Sequence, residues 1–167
     1  MLDTTMFFTV VIGVMIAGLA GWLIYLQRKS QTIEKSYSSR NTGLQLQAYE
    51  RLTVLADRIA LPNIIGRLNI SGISSRDMQE LLTKQIRDEF EYNISQQIYV
   101  SADAWKAMTN LKEQNLLIIN QISRSLPENT SGIELNKNIL GFLMNDPKGQ
   151  LHVLVSEVLS FEAKKIL

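Results

Sequence analysis

The chain has 167 residues, a net charge of +1 and no cysteine. That length suits one membrane segment plus one modest domain, and the balanced charge excludes a nucleic-acid module, which needs a basic patch. The missing thiol excludes disulfides, cysteine nucleophiles, iron–sulfur clusters and cysteine-based zinc sites, and leaves the compartment open.

Residues Met6 to Leu26 read "MFFTVVIGVMIAGLAGWLIYL" and contain no charged side chain. At 1.5 Å per residue such a helix spans roughly 30 Å, the thickness of a bilayer core. A cleaved signal peptide has a basic start and a short apolar core, whereas this run is long and follows "MLDTT". The expectation is an uncleaved single-pass anchor over 1–27. Trp22 and Tyr25 stand where amphipathic rings favour the headgroup interface, followed by Arg28 and Lys29. Lys35 and Arg40 add to this basic flank, so the positive-inside rule puts the short N-terminus outside and the rest in the cytoplasm. That corresponds to a bacterial inner (plasma) membrane protein. Gly13, Ala17 and Gly21 recur every four residues and line one stripe. Small residues let helices approach closely in lipid, so the stripe suits docking to another integral membrane protein or to the chain's own copy.

Residues 28–43 lack apolar periodicity and read as a basic linker, with helix continuing for a turn or two. The domain that follows, 44–167, reads as a compact bundle of about five helices. Residues 44–60 place Leu52, Leu55, Ala56 and Ile59 on one face, and Pro62 ends the helix. "LPNIIGRLNISG" reads as an irregular connection whose Ile64, Ile65, Leu68 and Ile70 cover the core. Ser74 with Asp77 resembles a capping box. Met78, Leu82, Ile86, Phe90, Ile94 and Ile98 then recur every four residues as one buried stripe. Ser101 caps a helix running to about Ser125, with Ala104, Met108, Leu111, Ile118 and Ile122 on its core face, and Trp105 and Ile119 widening it. Asn115 interrupts that face and needs a partner if buried. Ser131 and Glu134 form a second capping box. Asp146-Pro147 starts the last helix, with Leu151, Leu154, Val155, Val158, Leu159 and Ile166 facing inward.

The polar stretch between the two long helices, "NISQQIYVS", contains Asn93, Ser95, Gln96, Gln97, Tyr99 and Ser101. It reads as a helix corner: Tyr99 packs, the glutamines satisfy backbone groups and Ser101 caps. The rival reading is a small-ligand or enzyme site built on Asn93, Gln97 and Tyr99. Other chemistry is sparse. His152 is the only histidine and has no carboxylate three or four positions away. No phosphate-binding loop, nucleophile elbow or H-E-x-x-H occurs. The acidic run "DEFE" reads as a solvated helix face rather than a cation site. No cofactor, metal or nucleic acid is expected.

The runs "LQAYERL" (Leu46–Leu52), "RDEFEYNISQQIYVS" (Arg87–Ser101) and Ala104–Trp105 together resemble a family of uncharacterised single-pass membrane proteins from Bacteroidota. The resemblance implies an anchor, a linker and a helical cytoplasmic domain, with SQQIYVS as a signature; it implies no activity. The fold class expected is all-α: one N-terminal transmembrane helix, then the bundle. The function expected is a non-catalytic, membrane-anchored accessory, assembly or scaffolding subunit with the lipid bilayer and a second protein as partners. The alternative is a self-associating membrane adaptor that recruits a cytoplasmic protein.

Overall fold

The structure is a computed structural model. It describes the backbone of residues 4–145 and 151–167, and the side chains of Met15, Gly18, Leu19 and residues 21–29, 41–145 and 151–167. Among the described residues, six α-helices follow in order: α1 Thr4–Ile59, α2 Leu61–Arg67, α3 Ser75–Tyr92, α4 Ala102–Ser125, α5 Gly132–Asn145 and α6 Leu151–Lys164. A 3-10 turn, Ile94–Ile98, separates α3 from α4. No strand forms among the described residues; Ser74 and Ser131 make an isolated antiparallel bridge. The chain is all-helical.

The expected N-terminal transmembrane helix is not supported. Among the described residues, no helix is long and apolar enough to cross a membrane. A span needs about 20 consecutive apolar residues. The single-pass arrangement is therefore withdrawn. Of the proposed packing stripe, the side chains of Gly13 and Ala17 lie outside the described residues, and a Cβ at Gly21 would meet open space. Trp22, Tyr25, Arg28 and Lys29 are exposed.

Two compact units are distinguished, Met1–Gly43 and Leu44–Leu167. In the first, residues 28–43 are helical and belong to α1. The second holds the core. Ala48, Leu52, Leu55, Ala56 and Ile59 of α1 are buried with Leu61, Ile64 and Ile65 of α2. Met78, Leu82, Ile86 and Phe90 join them from α3, and Ala104, Met108, Leu111, Ile118 and Ile119 from α4. Leu135 and Ile139 of α5, with Val155 and Leu159 of α6, complete the cluster.

The end of α1 shows how side chains from elsewhere terminate a helix. The last carbonyls of a helix have no intrahelical donor. Here Asn63 Nδ2 donates to the Asp57 carbonyl at 3.0 Å, and Arg67 donates to the Arg58 carbonyl. Buried Asn115 of α4 donates to the Ile59 carbonyl at 2.7 Å, which supplies the partner its burial demands. The connection after Ile59 is not irregular. Pro62 in the first turn starts α2, because proline has no N–H to lose there. α2 buries Ile64 and Ile65, while Ile70 stays exposed.

Both serine caps form as their spacing predicts. Ser74 Oγ accepts from the Asp77 amide at 3.1 Å and donates to the Asp77 carboxylate at 2.7 Å. Ser131 Oγ accepts from the Glu134 amide at 3.3 Å. The four-residue stripe of α3 stops at Phe90. Ile94 and Ile98 are 49% and 71% exposed, because the 3-10 turn changes the period from 3.6 to 3.0 residues. On α6 only Val155 and Leu159 are buried; Leu154 and Val158, expected inside, are exposed. The expected cap at Asp146-Pro147 lies outside the described residues.

Candidate functional site

The corner between α3 and α4 is built by one asparagine and one serine. Asn93 ends α3 and its side-chain amide donates back to the Glu89 carbonyl at 2.9 Å. Asn93 and Gln96 are buried, and Gln96 donates to Ser95 Oγ at 3.2 Å. Gln97 is exposed and Tyr99 lies at the surface edge. Asn93, Gln97 and Tyr99 thus do not converge on a polar pocket. Trp105, on the first turns of α4, packs its ring 5.0 Å from that of Phe90. Lys112 Nζ sits 4.6 Å from the Phe90 ring, a cation–π contact.

Ser101 joins three helices. Its Oγ accepts from the Ala104 amide at 3.0 Å, capping α4, and donates to the Glu162 carboxylate of α6. Its own amide donates to the Tyr49 hydroxyl of α1 at 3.1 Å. Tyr49 in turn donates to Glu162 Oε2 at 2.8 Å. Every proton in this cluster has an acceptor. The Ser101 hydrogen bond pulls the Glu162 carboxyl below its ordinary range; burial opposes this, and Tyr49 and Lys165 assist. Burial pushes the Tyr49 phenol up, and the neighbouring carboxylate adds to the rise. The cluster ties α1, α4 and α6 together.

The second feature is a groove of about 660 Å³ between the C-terminal part of α1 and α3. Val54 and Leu55 line it from one side, Tyr92 and Asn93 from the other. Val54 and Tyr92 are exposed. Arg58 grips Glu89 with two nitrogens, Nε lying 2.9 Å from Oε2. Gln85 donates to the same carboxylate at 3.2 Å. The Arg58 hydrogen bond holds the Glu89 carboxyl below its ordinary range against the opposing effect of burial, and raises the guanidinium in turn. The Arg51 guanidinium lies 5.8 Å from the Tyr92 ring centre.

Among the described residues, no group of three or more His, Cys, Asp or Glu could hold a metal ion. In the acidic run, Asp88 pairs with Lys84 and Glu89 with Arg58. His152 is half-buried on α6. Sequence reasoning singled out Ser101 but missed Tyr49, Glu162 and the Arg58–Glu89 pair. Tyr49 lies in the "LQAYERL" run, so the meeting of two quoted motifs was its available signal. Glu162 and Arg58 had none, because their partners lie 61 and 31 positions away.

A family model described as a family of unknown function, DUF7935, matches residues 1–166. No curated protein and no solved structure matches the chain.

Proposed function

We propose that this chain, which belongs to the DUF7935 family of unknown function, is a non-catalytic helical adaptor. It would act as an accessory or scaffolding subunit that holds a second protein. The observation that carries the reading is the groove between α1 and α3. Exposed Val54 and Tyr92 stand there beside the paired Arg58 and Glu89. A groove built for acid–base chemistry needs a titratable group poised near neutrality. Glu89 is displaced the other way. Apolar surface ringed by fixed polar groups is the anatomy of a docking patch. The occupant that fits is an amphipathic segment of another protein, with an apolar side chain between Val54 and Tyr92.

The corner supports the same reading. Asn93, which the rival ligand site would need free, is spent on a backbone contact. Tyr49 of "LQAYERL" and Ser101 of "SQQIYVS" touch directly, which ties the two runs together. The test is purification of the tagged full chain from its native cells, with mass spectrometry, for the wild type and for Val54→Glu and Tyr92→Ala. Both side chains are exposed, so neither change disturbs the core. A protein held stoichiometrically by the wild type and lost from both variants is expected. A partner retained by the variants overturns the groove as its seat, and a wild type with no partner overturns the adaptor.

A further inference from the structure

α6 carries two apolar faces, of which the bundle uses one. Val155 and Leu159 point into the core. About a quarter-turn away, Leu154, Val158 and Phe161 are 54%, 40% and 63% exposed. Their spacing is four and then three residues, the d-a-d pattern of a coiled-coil seam, and Lys165 takes the next a position. Lys165 lays its ammonium 4.2 Å from the Phe161 ring and extends the seam with its aliphatic stem.

The charges beside the seam say what covers it. Glu157 and Lys164 both occupy g positions, seven residues apart, and are exposed. Neither makes an ion pair among the described residues. In a parallel pair of α6 helices, each g residue faces the e residue five positions on. That would set Glu157 against Glu162, which is like-charged and already engaged by Tyr49 and Ser101. In an antiparallel pair, g faces g. Glu157 of each copy then meets Lys164 of the other, twice over by symmetry, while Val158 packs on Phe161 and Leu154 on the stem of Lys165. A two-fold interface is self-complementary in this way.

We propose that α6 is a homodimerisation surface, pairing antiparallel with the α6 of a second copy through Leu154, Val158 and Phe161, with Glu157–Lys164 pairs closing its edge. At 14 residues the helix offers a seam about 21 Å long. That puts the interface at the small end of specific contacts, so the dimer exchanges readily with monomer. The surface lies on α6, whereas the partner groove lies between α1 and α3, so one can fail without the other.

The experiment is sedimentation velocity of the full chain over a concentration series, for the wild type, Phe161→Glu, Glu157→Lys, Lys164→Glu and an equal mixture of the last two. All three positions are exposed, and unchanged helical content and melting confirm folding. The wild type is expected to dimerise, and Phe161→Glu to raise the dissociation constant at least tenfold. Each charge reversal is expected to weaken dimerisation several-fold. Their mixture should regain it, because a heterodimer restores both opposite-charge pairs. A monomeric wild type overturns the proposal, even if the face then holds a different protein. So does a dimer indifferent to Phe161→Glu, and so does a mixture no tighter than its components, which removes the antiparallel register.

Discussion

Glu162 holds its charge where burial opposes it, because two hydroxyls point at the same oxygen. A carboxyl whose pKa is lower in the folded chain stabilises the fold above its unfolded value and stops doing so as pH falls through the folded one. Glu162 and Glu89 are both lowered from 4.5. Stability is therefore expected to be full near neutrality and to drop as the pH falls below 4.5. Glu162→Gln keeps an acceptor for Tyr49 but removes the titrating group. Its acid-side loss, read as the denaturant midpoint against pH, should be shallower than that of the wild type; an identical slope would contradict the clamp. At this scale the sequence was legible wherever partners are local. Ser74 and Ser131 cap as their spacing to the third following residue predicts, and Ser101 caps as expected. Glu162 was not legible, because a carboxylate on a helix surface looks the same whether it meets water or a tyrosine from α1.

Between elements, α3 and α5 approach closely at their starts. The Gly132 amide donates to the Ile73 carbonyl at 2.9 Å, and the Ser75 amide to the Thr130 carbonyl at 2.9 Å. The two helix starts are thereby laced side by side. A Cβ on Gly132 would stand 2.9 Å from Met78 Cβ and 3.1 Å from Ile73 Cγ1. Neither neighbour is the free end of a flexible chain, so one helix must shift. Gly132→Ala is expected to cost about 1–3 kcal/mol, as overpacked cores do, measured by equilibrium unfolding. A loss within error of zero would mean that the lacing is loose. The sequence gives a good account of α3 and α4 as helices and a poor one of where α3 stops. The four-residue spacing runs on to Ile98, but Asn93 turns its side chain back on Glu89 and hands the chain to a 3-10 turn. Leu154 and Val158 misled in the same manner. An apolar helical stripe shows that something covers it, without naming the neighbour.

For the molecule as a whole, the buried hydrophobic cluster begins at Ala48 and runs to Leu159, entirely within Leu44–Leu167. Among the described residues, no side chain before 44 belongs to it. Residues 44–167 expressed alone are therefore expected to fold and unfold cooperatively, with coincident transitions by circular dichroism and tryptophan fluorescence. Trp105 against Phe90 supplies the fluorescent reporter. Non-coincident or gradual transitions would show that the first unit is needed. The all-helical class was legible from period and caps alone. The membrane expectation came from the apolar composition of 6–26. It fails because no described helix is long and apolar enough to cross a bilayer.

The bond from the Ser101 amide to Tyr49 has a further consequence. The amide of a helix-capping residue ordinarily faces water and trades its proton quickly. This one is closed off by a phenol from α1, so its proton leaves when that bond opens. A single backbone position thus records, in its exchange with heavy water, how often the bundle breathes at the join between its first and fourth helices.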